Sequence, residues 1–336
     1  MSLSDFRRLL GLPDATDGVR PVALPSDPDE LRRWLLVGVV AAIVFYAYFI
    51  SKTCASGITP LSLFGWLWLY WGRGADYAHG YVVPVVAIGL FAWKWRKRLH
   101  TVPLSTANSG LAVILAGVTL YWMGVKAANP RLVAGSLVVL IFGLILYLAG
   151  WDWAKELWFP CAFLLFMIPL NFLEQYVSFP LRIFVAQAST GLLNILGQGV
   201  YREGTGIYST LSRFLPLEVA DPCSGIRSLM ALMALTSLYG YIAMDQTWKK
   251  WVLFLSSIPL AVVGNLARIT TVALVAQGFG QDWAMKIYHD YSGYIVFSLA
   301  ILCMIGLGAM LNVHCRELVH HWTEEDVRPT RPAHKR

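Results

Sequence analysis

The chain is short of charge. Asp, Glu, Lys and Arg make up only 14% of its 336 residues, against 57% that are hydrophobic. An ordinary water-soluble domain carries nearer a quarter of charged residues, so this scarcity excludes one. Paired cysteine is lacking too. Cys54, Cys161, Cys223, Cys303 and Cys315 form neither a CxxC pair nor a zinc spacing. No disulfide framework, metal or cofactor is expected. Cys161 and Cys303 fall within apolar runs, where a buried thiol behaves as a small hydrophobe. A cleavable signal peptide is also missing: the first apolar run begins near Leu35 behind a polar leader, and is expected to stay as a helix. The net charge of +7 does not point to nucleic acid. In a chain with several long apolar runs and 14 Trp, it reads as loop charge that orients helices.

What remains is a succession of apolar runs. The expected fold is an all-α polytopic membrane protein of about eight transmembrane helices, with an additional interfacial or re-entrant helix and short extracytoplasmic loops. Residues 1–33, with four prolines and five arginines, read as a cytoplasmic leader. The spanning candidates are 34–50, 81–95, 111–125, 132–148, 157–170, 223–243, 251–276 and 293–311. A basic tail, 312–336, follows inside. Lys94, Arg96, Lys97 and Arg98 at one turn and Lys249 and Lys250 at another belong on the cytoplasmic side. Parity then leaves 181–196 as the interfacial or re-entrant helix and places 171–222 outside. The aromatic stretch 61–71 is too short to span and suits the interface. Residues 201–217 are expected to form a short extended hairpin.

The chain reads as organised around Cys223. It follows Asp221-Pro222 and precedes Ser224-Gly225, all helix-start residues, with a long apolar helix beyond. Unpaired N–H groups at a helix N-terminus lower a thiol pKa and populate the thiolate. Arg227, four residues on, adds positive charge on the same face. Topology brings two further groups to that side. Arg268, one turn after Asn265, lies in the outer half of its span, about 13 Å below the last external loop. His289 falls within that loop, taken as 277–292. A charged arginine at that depth needs a partner or a function.

Each residue alone has a plainer reading. Cys223 suits a structural thiol, Arg268 an interhelical ion pair, Asn265 interhelical glue and His289 a solvated loop. Their agreement on one membrane face favours a site.

Together these residues resemble the exosortase/archaeosortase family of multi-spanning cysteine transpeptidases. The likeness lies in Cys223-Ser224-Gly225-Ile226-Arg227-Ser228-Leu229, in Asn265-Leu266-Ala267-Arg268-Ile269, and in His289. Tyr77-Ala78-His79-Gly80 looks like the family's early loop motif, with Ala78 where a serine is commoner. The resemblance runs from about Leu35 to Leu311.

It implies Cys223 as nucleophile, His289 as acid/base and Arg268 as transition-state stabiliser. Arg227, Asn265, Ser224 and Gly225 would support substrate or thiolate, and His79 stands second to His289. Implied substrates are secreted proteins with C-terminal PEP-CTERM-type sorting tails. The implied acceptor is a surface glycan or lipid-linked molecule tied to exopolysaccharide. Membrane lipids are partners of any such chain. A transporter would need inverted repeats, which the sequence does not show. A polysaccharide polymerase or ligase would leave Cys223 without a task.

Overall fold

The computed structural model describes residues 28–56, 59–72, 77–170, 176, 179–210, 217–218, 226–280, 283–284 and 289–325. Helix α1 (Pro28–Phe45) runs on into a π-helical turn, Tyr46–Ile50. A small hairpin, β1 (Cys54–Ser56) with β2 (Thr59–Leu61), leads to α2 (Leu63–Gly72). A 3-10 turn, Ala78–Tyr81, opens α3 (Val82–Lys97). Then come α4 (Ser109–Lys126), α5 (Pro130–Ala149) and α6 (Trp151–Phe163), the last ending in a 3-10 turn, Leu164–Met167. Helix α7 (Phe179–Ile195) is followed by a three-stranded sheet, β3 (Val200–Glu203), β4 (Gly206–Ser209) and β5 (Leu217–Glu218). Helices α8 (Ile226–Ala243), α9 (Thr247–Phe279) and α10 (His289–Glu325) complete the described chain.

Four of these helices are long and apolar enough to cross a membrane: Ser109–Lys126, Pro130–Ala149, Thr247–Phe279 and Tyr291–Asn312. Val37–Ile50 and Ser228–Ala243 are apolar but shorter. Two expected spans fall short for physical reasons. The last turn of α3 carries Lys94, Arg96 and Lys97, and 157–170 is broken by Pro160 and by the 3-10 turn. The 181–196 stretch forms α7, which is not among the spanning helices. Residues 61–71 lie largely in the short helix α2, and within 201–217 the described residues 201–209 form the expected hairpin, turning at Gly204 with φ +58°. Two ends differ from expectation. Helix α9 extends to Phe279, and α10 continues beyond Leu311 to Glu325.

The hairpin of α4 and α5 is built on glycine. Asn129 caps α5 by accepting from the Arg131 N–H, with Pro130 at the first helical position. Gly110, Gly117 and Gly124 then lie on one face of α4. A Cβ at Gly117 would come within 2.7 Å of Leu140 Cγ, and one at Gly124 within 2.8 Å of the Val133 nitrogen. Gly143 makes the reciprocal approach to Ile114. Without side chains the backbones come close, which is how helices associate where lipid removes the hydrophobic drive between them.

Helices α8, α9 and α10 form a second bundle whose register can be read from its contacts. Gly240 of α8 meets Lys250 of α9, so these two run antiparallel. Gly264 meets Val296 and Arg268 meets Ser292, so α9 and α10 do likewise. Helices α8 and α10 are therefore parallel. Asn312 Nδ2 donates to the Ala243 carbonyl, and Gly308 packs on Tyr239 at the same offset of 69 residues. Leu232, Ala261 and Ala300 fill the middle; Met244, Leu253 and Met304 fill one end. Helix α7 lies along the C-terminal half of α9, where Val185, Ala186 and Leu193 share a core with Ile269, Val272, Ala273 and Ala276. Gln277 reaches the Gln198 carbonyl at 3.5 Å, so α7 and α9 end together. Phe159 of α6 stacks on Tyr241 of α8 and joins the two halves of the chain.

Candidate functional site

Arg268 is the fixed point of the site. Helix α9 carries it far from the Lys250 end, and Nε donates to Ser292 Oγ at 3.2 Å. Ser292 is only 1% exposed. Gly293 backs the guanidinium: a Cβ there would lie 3.7 Å from Cζ and Nη2 and 3.9 Å from Nη1. That is ordinary contact distance, so the planar cation rests across a glycine without being displaced. Asn265, one turn earlier on α9, is buried at 6% exposure. A polar face of α9 thus meets the start of α10.

That arrangement moves His289. The sequence placed it in an external loop about 13 Å above Arg268. It is instead the first residue of α10, three residues before Ser292 and four before Gly293. One turn of helix rises about 5 Å, so the depth gap largely closes. The reason is that the α9–α10 connection is shorter than expected and α10 turns down at once.

Cys223, Ser224 and Gly225 lie outside the described residues. Helix α8 begins at Ile226 with Arg227 second. Its register still locates that end. The offset of 69 residues that pairs Ala243 with Asn312 sets Ile226 level with Ile295, one turn from Ser292. The bundle therefore brings the start of α8, Arg268, Asn265 and the first turn of α10 to one level.

His79 is held by its own contacts. It lies in the 3-10 turn before α3 and donates to the Phe166 carbonyl. Its Nε2 is shut off from solvent without a hydrogen bond. Burial holds the imidazole below its ordinary pKa, so it is neutral near pH 7. Next to it, a Cβ on Gly80 would overlap the Trp71 indole, whose Nε1 donates to the Met167 carbonyl at 2.9 Å. The motif residues His79 and Gly80 thus clasp α2 to the end of α6. No contact joins His79 to Arg268 or Asn265 among the described residues.

Two positions escaped the sequence reading, Ser292 and Gly293. The Ser-Gly pair sits three residues after His289, the spacing of one helical face, but reading 277–292 as loop hid it. The other described cysteines do not enter the site. Cys54 is buried, and burial pushes its thiol up to about 11. Cys161 is buried too, while Cys303 is exposed on α10 rather than buried as expected. No group of three or more metal-binding side chains occurs among the described residues.

No curated protein and no solved structure matches the chain. A model of the transmembrane exosortase family (Exosortase_EpsH) matches residues 71–306, a stretch that holds every position named above from His79 to Gly293. With more than two thirds of its length matched and its helices apolar enough to cross a membrane several times, the chain belongs to the transmembrane exosortase family.

Proposed function

We propose that this exosortase is a membrane cysteine protease/transpeptidase. It cleaves the C-terminal sorting tails of secreted proteins at the outer face of the cytoplasmic membrane, through a thioester on Cys223. The observation that carries this reading is the register of α8, α9 and α10, which sets the start of α8 level with Arg268 and with the first turn of α10.

The chemistry follows from the residue types. The Cys223 thiolate attacks the scissile carbonyl carbon, and the electron pair of the C=O moves to oxygen. Arg268, held by Ser292, presents its guanidinium to that oxyanion in a low-dielectric setting. The C–N bond then breaks, His289 gives its proton to the departing amine, and a thioester remains. A hydroxyl or amine of the acceptor, deprotonated by His289, attacks the thioester and releases the thiolate. Water in that role gives hydrolysis. Arg227, Ser224 and Gly225 support the substrate or the thiolate, and Asn265 adds a polar group on α9.

The orientation rests on charge. Lys94, Arg98, Lys249 and Lys250 gather at the end of the molecule away from Arg268, so the positive-inside rule turns Arg268 outward. A site just within the outer leaflet suits a cut beside a substrate's membrane helix. The acceptor is then a surface glycan or lipid-linked molecule, which would link the enzyme to exopolysaccharide.

The test is a secreted reporter with a Pro-Glu-Pro-type motif, an apolar helix and a basic end. Membranes with the wild-type chain shorten it, and membranes with Cys223→Ala accumulate it whole at equal enzyme abundance. Shortening in the Cys223→Ala strain would defeat the proposal.

A further inference from the structure

The end of the molecule away from Arg268 collects cations from helices far apart in sequence. Lys94 Nζ of α3 stands 5.4 Å from the ring centroid of Tyr241 on α8, and Lys250 Nζ of α9 stands 5.7 Å from the same centroid. Phe159 of α6 stacks on Tyr241 with centroids 3.9 Å apart and planes 6° from parallel, so one face of the phenol is taken. The two ammonium groups share what remains of the ring, and four helices fix the junction.

Acid is sparse among the described side chains there. Glu156 is bound by Lys94 at 2.7 Å and by Arg98 at 3.1 Å. Asp152 is 3.8 Å from Lys155 and answers that charge. Among the described side chains, Asp245, exposed between α8 and α9, is the other carboxylate near this end. Against them stand Lys94, Arg98 and Lys250 at the junction, with Lys97 over Trp93 and Lys249 over Trp248. Lys249 is only 5% exposed, so part of this positive charge is held within the molecule. The surroundings are those of a bilayer interface. Trp93, Trp95, Trp248 and Trp251 are exposed around the cluster, as in the aromatic belt at headgroup level. One or two turns further in, Phe91 and Leu255 are exposed on α3 and α9, where acyl chains would lie.

The geometry points to a site for one anionic phospholipid, its headgroup phosphate received by Lys94 and Lys250 beside Tyr241. A phosphate between two ammonium groups offsets the excess positive charge, and the tryptophans fix the depth of the glycerol backbone. Basic pockets between membrane helices select anionic headgroups in this way. Nothing in it depends on Cys223.

The full-length protein, purified in detergent, tests this by native mass spectrometry with titrated phosphatidylglycerol, phosphatidylcholine or inorganic phosphate. Expected is one retained phosphatidylglycerol, with weaker retention of phosphatidylcholine. Each lysine near a membrane surface is worth about a fivefold change in anion affinity. Lys250→Gln should therefore weaken phosphatidylglycerol about fivefold, and Lys94→Gln with Lys250→Gln roughly 30-fold. Lys155→Gln, which leaves the junction intact, should change nothing. Should Lys94→Gln disturb folding by releasing Glu156, Lys250→Gln alone carries the test. Equal retention of the two lipids would overturn the proposal. So would unchanged affinity in Lys250→Gln, or inorganic phosphate that displaces the lipid at matched concentration.

Discussion

Ser292→Ala removes one hydroxyl and asks whether Arg268 works by being held still. In the wild type the Arg268 Nε donates to Ser292 Oγ at 3.2 Å, and the serine is 1% exposed, so bulk water does not step in. A hydrogen bond to a charged group contributes about 1.5–3 kcal/mol. If that energy orients the guanidinium toward an oxyanion, turnover falls roughly 10- to 100-fold at about 1.4 kcal/mol per decade. Arg268 remains charged and Gly293 still backs it, so the protein should insert and accumulate normally. The assay is the cleavage rate of a tail-bearing reporter by purified protein, with thermal unfolding run beside it. A loss in kcat larger than any change in KM is expected, because the oxyanion exists only in the transition state. Ser292→Thr, which restores an acceptor, should recover much of the rate. Wild-type kcat in Ser292→Ala would refute the reasoning. A loss explained wholly by less folded protein would refute it as well.

Three further outcomes are expected. Arg268→Lys keeps a charge but loses the planar fork and its Nε, so cleavage should drop at least as far as in Ser292→Ala with abundance unchanged; near-normal turnover would show that any cation serves. Gly117→Val drives a side chain into Leu140, where even a Cβ would lie 2.7 Å from Cγ, and should destabilise the protein by about 1–3 kcal/mol while each folded molecule stays active; an unshifted unfolding midpoint would contradict the close α4–α5 packing. His79 is neutral in its buried clasp, its folded pKa below the ordinary 6.5, so the unfolded chain binds its proton first as pH falls. Stability from this residue is complete above about pH 6.5 and is lost as pH falls through the depressed value, and His79→Asn should flatten the unfolding curve over that window; parallel curves for the two proteins would exclude the clasp as their cause.

Much of the architecture was legible because it is written in runs. The apolar stretches became helices where length and hydropathy agreed, as in α4, α5, α9 and α10. The cationic turns also met in space as charge patterning implies, Lys94 and Lys250 closing on one tyrosine. What a run cannot express is where a helix stops. His289 was read as loop because it lies in a stretch with polar Gln281, Asp282 and Asp290, yet α10 already begins there. The same polar residues hid Ser292 and Gly293, whose roles depend on a neighbouring helix rather than on local spacing. Glycine in the spans carries a meaning that a run does not show. At Gly110, Gly117 and Gly124 its meaning is the closeness of α5, a fact of packing that composition does not carry. His79 shows the converse: its motif was visible, but its hydrogen bond to the Phe166 carbonyl depends on a segment distant in sequence.

The central claim is that Cys223 takes the acyl group. Its direct measurement is the mass of the Cys223 peptide after acid quenching of purified enzyme that is cleaving a tail-bearing substrate. Cys54 is buried with its thiol pushed up to about 11, so it should contribute little background. The account predicts an adduct on Cys223 equal in mass to the acyl fragment, removed by hydroxylamine as thioesters are, and absent from Cys223→Ser, which should accumulate normally and cleave almost nothing. An enzyme that turns over without any adduct on Cys223, or a Cys223→Ser protein that cleaves at the wild-type rate, would contradict it.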